Sequence, residues 1–244
     1  MKFDPIQPSV MKKHLPFFLL VSTILLFALY GRPLWHPVLI KLRGGKTIAE
    51  VVEELRSRNV AQINLDKFER LVILGLKKER LLEVWGVPEQ GESCLLLSLP
   101  FTGFSGALGP KLREWDGQIP EGVYAVEYLN PNSRYHLSVK INYPNAFDTQ
   151  KGKEDGREKL GYDIFIHGKT ATIGCIPLGD QGIENLFYLV AAMGKEKVEV
   201  IIAPYDMRKN DEPIDIPSIS WEQELYAMIR SAIRERIPRP IAEL

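Results

Sequence analysis

Residues 162–175 read YDIFIHGKTATIGC and carry the strongest signal in the chain. The first five residues are mostly β-branched or aromatic and alternate in character, which predicts a strand that ends near His167. Gly168 then permits a tight turn, and Gly174 lets the backbone before Cys175 come close to a substrate carbonyl. The pattern therefore brings a histidine and a cysteine to the two sides of one turn.

This pair predicts nucleophilic chemistry. An ordinary thiol has a pKa of about 8.5 and is only a few per cent thiolate at neutral pH. A cysteine nucleophile therefore needs surroundings that increase its thiolate fraction. We expect the His167 imidazole to raise the thiolate fraction of Cys175, and the main-chain N–H groups of Gly174 and Cys175 to form an oxyanion hole. The alternative is a buried structural cysteine beside an unrelated histidine, which is the commoner role of each residue type alone.

The same residues resemble the catalytic motif of the L,D-transpeptidases, cysteine enzymes that remodel peptidoglycan. In that family a His-Gly at a strand end is followed by Ser/Thr-x-Gly-Cys. Five residues carry the match: His167, Gly168, Thr172, Gly174 and Cys175. The resemblance implies that Cys175 is the nucleophile, His167 the base and Thr172 the Ser/Thr position. Common members have a longer gap and a second histidine before the Gly-Cys. Here the gap is short and that position is Ile173, which resembles the YafK-type murein transpeptidase subgroup.

Further segments fit the same subgroup: Gly109–Lys111, Pro120–Tyr124, Tyr143–Asn145 with Asp148, and Asp180–Val190. The resemblance runs from about Phe68 to about Asp206. It implies an α+β fold with a mainly β catalytic domain, in which Tyr143, Asn145 and Asp148 bind substrate or shape the site. The alternative for Pro144-Asn145 is a plain turn.

A third catalytic group is not evident from spacing. Asp163 lies two pleat repeats before His167, about 13 Å away, so its carboxylate cannot readily reach the ring. Other strands and loops offer five candidate neighbours: His136, Asn145, Asp148, Tyr205 and Asp206. In the family, a backbone carbonyl can serve instead.

The second cysteine has a different interpretation. Cys94 begins the apolar run Cys94–Leu97, which predicts a core strand and a structural role. A Cys94–Cys175 disulfide is an alternative in an exported protein, but it would abolish the nucleophile. The sequence has no Cys-x-x-Cys or His-x-x-x-His spacing, so we predict neither a metal site nor a cofactor.

Composition sets the outer limits. The chain has 244 residues, of which 45% are hydrophobic and 25% charged, enough for one good core and a small appendage. Lys+Arg and Asp+Glu both number 31, so there is no basic excess to attract nucleic acid.

The N-terminus predicts export. Lys12 and Lys13 precede the largely apolar stretch Leu15–Tyr30, which as a helix would cover about 24 Å, against about 30 Å of hydrocarbon core. No clean small-x-small cleavage pattern follows, so we expect an uncleaved inner-membrane anchor with the catalytic part in the periplasm or another extracytoplasmic space; a cleaved signal is the alternative. Met11 is an alternative start.

Four segments are predicted: an export signal or anchor over 1–34, a linker and helical segment over 35–67, the catalytic domain over 68–206, and an extension with an amphipathic helix over 207–244. Capping-box patterns at Thr47–Glu50 and Ser220–Gln223 open helices, and Leu65, Phe68 and Leu71 permit another. The remaining helix is Asp180–Met193. The predicted strands are Val72–Leu76, Leu81–Trp85, Leu95–Leu99, Val123–Tyr128, His136–Tyr143, Tyr162–His167 and Val198–Ala203. Lys151–Lys159 predicts a solvated loop or a mobile flap.

The resemblance also implies partners: peptidoglycan stem peptides as substrate, a wall-attached lipoprotein as a second partner, and a role in cell-wall biogenesis and cell shape. Two other functions stay open. One is a peptidoglycan amidase or hydrolase of the same fold, in which water accepts the acyl group. The other is a non-catalytic wall-binding domain tethered to the envelope.

Overall fold

The computed structural model describes residues 18–27, 30–31, 38–58, 60, 63–209, 214 and 216–237. The chain divides into two compact units, Met1–Thr47 and Ile48–Leu244. In the first unit, residues 18–27 and 38–42 are helical, and apolar side chains along 18–27 are exposed. No helix among the described residues is long and apolar enough to cross a membrane. The predicted anchor, Leu15–Tyr30, lies partly outside the described residues.

The second unit is a mixed α+β structure built on one eight-stranded sheet. Its strands are β1 Arg70–Leu76, β2 Leu81–Val87, β3 Cys94–Pro100, β4 Gly122–Ser133, β5 His136–Ile141, β6 Phe165–His167, β7 Ile176–Pro177 and β8 Val198–Ala203. Its helices are α1 Ile48–Ser57, α2 Ala146–Glu154, α3 Gly179–Met193 and α4 Glu222–Arg236. The strand order is β3-β2-β1-β8-β4-β5-β6-β7, with β1–β8 and β6–β7 parallel and the other pairs antiparallel. The predicted fold class is confirmed.

Both faces of the sheet are covered, so its central strands read as continuous apolar runs. Leu71 and Ile73 of β1 belong to one core cluster, together with residues of α1 and α3. Val72 and Leu74 belong to a second cluster, which α4 completes. The helices before and after the strands thus belong to the same compact unit as the sheet. The proposed domain divisions near residues 67 and 207 remain predictions.

Several local predictions were wrong. Residues 65–69 form a loop instead of a helix, because the chain there leads directly into β1. Helix α2 occupies the first part of the expected Lys151–Lys159 loop, and Lys151 is buried there. The signal that was missed is Asn145-x-x-Asp148, which forms a capping box although α2 has little apolar periodicity. At α4, the cap residue is Trp221 without a side-chain cap, so the pattern at Ser220 does not form its box.

Cys94 is also not a core residue. It is the exposed first residue of β3, which is an edge strand of the sheet. An apolar run such as Cys94–Leu97 does not distinguish a central strand from an edge strand, which explains the error. Both Cys94 and Cys175 are free, so the alternative disulfide is absent.

Candidate active site

The candidate base, His167, is fixed at the end of β6. It pairs with Ser138 of β5 on one side and with Pro177 of β7 on the other. Its Nδ1 lies 2.6 Å from the backbone oxygen of Gly168. A carbonyl oxygen can only accept a hydrogen bond, so Nδ1 must carry the proton and donate it. Nε2 is then the basic nitrogen of a neutral imidazole.

The His167 ring is covered by the turn between β4 and β5. The Tyr135 ring lies over the imidazole with centroids 4.6 Å apart, and the Gly168 N–H donates to the Tyr135 carbonyl at 3.0 Å. His167 is only 2% exposed as a result. This burial lowers the pKa of His167 below its ordinary value, although the bond to Gly168 O partly opposes the change. The imidazole is therefore neutral at pH 7 and able to accept a proton.

The candidate nucleophile, Cys175, immediately precedes β7. Ile166 of β6 pairs in parallel with Ile176 of β7, and both isoleucines are fully buried in the core. His167 follows Ile166 on β6 and Cys175 precedes Ile176 on β7, so the two residues flank this pair of isoleucines on adjacent strands. The Cys175 Sγ accepts the Phe165 N–H at 3.4 Å, and it lies 3.8 Å from the Asp163 carbonyl oxygen.

The thiol is not predisposed to ionise, contrary to the expectation from the sequence. Burial raises the pKa of Cys175, and the Phe165 N–H and the positive charge of Lys111 offset only part of the increase. With His167 neutral as well, the resting pair is a thiol and an imidazole instead of a thiolate and an imidazolium. A neutral thiol needs a base to take its proton when it attacks a carbonyl group.

The glycine-rich turn before Cys175 is held by Thr172. The Thr172 hydroxyl donates to the Cys175 carbonyl at 2.7 Å and accepts the Gly174 N–H at 3.2 Å. Gly174 has φ +121°, and a Cβ there would lie 2.9 Å from the Gln118 carbonyl oxygen, so only glycine fits. Because the Gly174 N–H is bound to Thr172, the expectation that it contributes to an oxyanion hole is wrong for this conformation. The Cys175 N–H is the remaining predicted donor.

Cys175 opens into a cleft of ≈ 220 Å³. The cleft is lined by Lys111, Glu114, Trp115, Gly161, Tyr162, Asp163, Ile164, Ile173 and Cys175. Three large side chains at its rim are strongly exposed: Trp115 at 76%, Tyr162 at 66% and Ile173 at 68%. Exposed apolar groups around a thiol are suited to cover a bound substrate and exclude water.

Tyr143, Asn145 and Asp148 lie together, but they do not line the Cys175 cleft. Asn145 caps α2: its Oδ1 accepts the Asp148 N–H at 3.0 Å, and Asp148 Oδ2 accepts the Asn145 N–H at 2.9 Å. The Tyr143 hydroxyl contacts the carbonyl oxygens of Lys111 and Leu160, 3.3 and 3.0 Å away. Tyr143 therefore shapes the cleft from behind, whereas substrate binding by any of the three residues remains a prediction. Tyr143 and Asn145 also line a separate open cleft of ≈ 690 Å³.

The other candidate neighbours of His167 serve different contacts. His136 Nε2 lies 2.9 Å from Glu184 Oε1, and Arg58 binds the same carboxylate with two hydrogen bonds of 2.9 and 2.7 Å. Asp206 pairs with Arg208, which also binds Glu83.

Tyr205 is buried in the second core cluster. The Gly168 carbonyl is therefore the group that orients His167. As expected, the Asp163 carboxylate is not; it pairs with Lys140 at 2.9 Å. Among the described residues, no three His, Cys, Asp or Glu side chains are grouped to share a metal ion. The absence of a metal and of a cofactor remains a prediction.

Sequence reasoning did not assign Tyr135 or the Asp163 carbonyl to the site, and it gave Lys111 no role. Gly109–Lys111 was visible as a motif segment, which was the available signal for Lys111. Asp163 has φ +58°, a left-handed conformation that turns its carbonyl towards Sγ of Cys175. No residue pattern in the sequence predicts this conformation.

A family model for the L,D-transpeptidase catalytic domain (YkuD) matches residues 72–202, more than half of the chain. The chain therefore belongs to the L,D-transpeptidase catalytic domain family. The matched residues include the strand that ends at His167, the turn after it and Cys175.

The relatives agree with this assignment. The chain is 38% identical over 137 residues to the Escherichia coli K12 protein named "Putative L,D-transpeptidase YafK", and equally to its O157:H7 counterpart. The match covers 54% of this chain and 52% of that relative, so the chain spans about half the length of the curated relatives it matches.

Solved structures with a similar chain path include the helical cell shape determining protein Pgp2 of Campylobacter jejuni, with 22% identity and a TM-score of 0.46. That likeness covers 70% of this chain and 58% of Pgp2. Bd1075 of Bdellovibrio bacteriovorus has 17% identity and a TM-score of 0.41, covering 72% of this chain and 58% of that one.

Proposed function

We propose that this protein is a cysteine acyltransferase of the L,D-transpeptidase type that acts on stem-peptide amides of peptidoglycan. The observation that carries the proposal is the tautomer of His167. Its Nδ1–H is bound to the Gly168 carbonyl, which leaves Nε2 as a basic nitrogen on β6, the strand that pairs with the strand Cys175 precedes. A neutral base beside a neutral thiol is the arrangement that proton-coupled attack requires.

The reaction has two halves. As Sγ of Cys175 bonds to the amide carbon, Nε2 of His167 takes the thiol proton, and the Cys175 N–H stabilises the oxyanion. The C–N bond then breaks, and His167 gives the proton to the departing amine, leaving a thioester on Cys175. A second amine attacks the thioester while His167 takes its proton. The thiolate of Cys175 leaves, recovers the proton, and the new amide is released.

The second acceptor decides between transfer and hydrolysis. We favour transfer because the relatives are named as transpeptidases and because the apolar rim of the cleft suits exclusion of water. Attack by water on the same thioester would make the protein an amidase or hydrolase. The non-catalytic wall-binding alternative gains no support from a histidine and a cysteine on adjacent strands, since a binding domain needs neither.

The decisive experiment uses the purified protein and peptidoglycan fragments. We expect mass spectrometry to show a new cross-link or an exchanged terminal residue, which would indicate transfer; a gain of water with a released fragment would indicate hydrolysis. Cys175→Ala should abolish either product while the protein stays folded, and Cys94→Ala is the matched control that should leave it intact. The absence of product from several stem peptides, together with failure of Cys175 to take up a carbapenem acyl group, would favour the binding-domain alternative.

The proposed substrate also places the protein in the cell envelope. We propose that the catalytic unit is extracytoplasmic, that the N-terminal segment attaches it to the inner membrane, and that a wall-attached lipoprotein is a further partner. A reporter that is active only outside the cytoplasm, fused to the carboxyl end, should be active. An inactive export reporter beside an active cytoplasmic one would contradict this location.

A further inference from the structure

The cleft at Cys175 holds charged groups outside the motif that contains His167 and Cys175. His167 and Cys175 are both neutral at rest, so before proton transfer no positive charge within the motif favours the thiolate, which also forms when the thioester breaks. The position that holds a second histidine in many family members is Ile173. The charged groups around the cleft are Lys111 and Glu114 of one loop, and Asp163, which pairs with Lys140.

Lys111 is built into the cleft wall. The residue is only 6% exposed, and its ammonium group donates to Asp116 Oδ1 at 2.6 Å and to the Arg113 carbonyl at 2.9 Å. Its Cε lies 3.2 Å from where a Cβ would stand on Gly161, so a larger residue there would press against the lysine side chain. The ammonium is thus held in the cleft wall, where Asp116 is its ion-pair partner.

Asp116 holds both the lysine and its loop in place. Its Oδ1 accepts the Gln118 N–H at 3.0 Å in addition to Lys111, and its Oδ2 accepts the N–H groups of Leu112 and Arg113, each at 2.9 Å. The Tyr143 hydroxyl adds a contact to the Lys111 carbonyl from the other side. The position of the ammonium relative to Cys175 is thus fixed before substrate arrives, as electrostatic stabilisation requires.

We propose that Lys111 is a positioning residue that stabilises negative charge on Cys175 from the cleft wall, and that Asp116 sets how much of that charge the sulfur experiences. The inference rests on the proposed function, because it concerns the same nucleophile. It agrees with the electrostatics of the site, where Lys111 lowers the pKa of Cys175 against the larger effect of burial. A lysine that only braced the loop would not need to line the cleft.

The test measures the rate at which iodoacetamide alkylates Cys175 as a function of pH, in the folded protein carrying Cys94→Ala. In Lys111→Met the profile should move to higher pH by roughly 0.5–1 unit, a three- to tenfold loss of thiolate at neutral pH. Lys111→Arg should stay near the starting profile. Lys151→Met, which removes another buried lysine that does not line the cleft, is the matched control and should have no effect.

Asp116→Asn separates charge from bracing. It leaves the Lys111 charge unneutralised, so the alkylation profile should move to lower pH. If the two residues only hold the loop in place, Asp116→Asn and Lys111→Met should instead move the profile in the same direction. A Lys111→Met profile identical to the starting protein, with unchanged thermal unfolding, would overturn the proposal. If Lys111→Met does not fold, Asp116→Asn decides, because no shift or an upward shift there also overturns it. Alkylation needs no substrate, so failure of turnover with stem peptides would count against the proposed function alone.

Discussion

Tyr135 lies over the imidazole of His167, with ring centroids 4.6 Å apart and planes inclined by 32°. The tyrosine comes from the turn between β4 and β5, so the burial of the candidate base depends on a neighbouring strand pair and not on its own strand. Several measurable consequences follow from contacts of this kind.

Tyr135→Ala should raise the pKa of His167, because removing the covering ring returns water to an imidazole whose pKa burial now lowers. A base with a higher pKa is protonated, and thus inactive, at higher pH. The acidic limb of kcat/KM should therefore move up by roughly half a pH unit. Tyr135→Phe keeps the ring and should reproduce the wild-type limb. An unmoved limb in Tyr135→Ala would show that the ring does not control the base.

Thr172→Val should slow acylation by roughly tenfold to a hundredfold with little change in KM. The physical reason is that one hydroxyl binds both the Cys175 carbonyl and the Gly174 N–H, so its loss loosens the turn that presents Cys175. Thr172→Ser retains the hydroxyl and should remain close to wild type. Single-turnover acylation distinguishes the two variants, and equal rates would refute the role of the hydroxyl.

Trp115→Ala should raise KM by roughly three- to tenfold and leave kcat nearly unchanged, because a rim side chain that is 76% exposed becomes covered only when substrate binds. Steady-state kinetics with stem-peptide substrates provides the measurement. The rate of Cys175 alkylation is the control and should not change. A fall in kcat alone would instead assign Trp115 to the chemical step.

Asp148 should make stability fall as the pH rises. Burial raises the pKa of this carboxyl from 3.8 to about 6, so the folded protein keeps a proton that the unfolded chain has lost. The stabilisation is complete below about pH 4 and is lost as the pH rises through about 6, on the order of 3 kcal/mol for two pKa units.

Asp148→Asn cannot titrate but can still accept the Asn145 N–H. Its free energy of unfolding, measured in urea at pH 4.5 and pH 7, should therefore rise relative to wild type between the two values. Parallel curves for the two proteins would contradict the shifted pKa.

Features of the candidate site that depend on local interactions could be predicted from the sequence. The motif spans nine residues and contains His167, Gly168, Thr172, Gly174 and Cys175. Its glycines indicate directly where the turn needs backbone freedom. The ionisation state of the thiol was not readable, because it depends on burial by parts of the chain distant in sequence. Lys111 and Tyr135 were left without roles for the same reason: they reach the site through packing of other loops. Helix α2 was missed because capping and tertiary burial, not apolar periodicity, stabilise it.

The contact between Arg58 and Glu184 matters for anyone shortening this chain. The family match begins at residue 72, yet Arg58 follows α1 and neutralises a buried carboxylate on α3, while Val51 and Leu55 fill the core beneath it. A fragment that begins at residue 72 would lack α1 and so expose the apolar surface that Val51 and Leu55 cover. It would also remove Arg58, so that of Arg58 and His136 only His136 would still pair with Glu184. We therefore expect the shortest stably folded fragment to begin before Ile48. The folded unit is thus longer than the region that the family model matches.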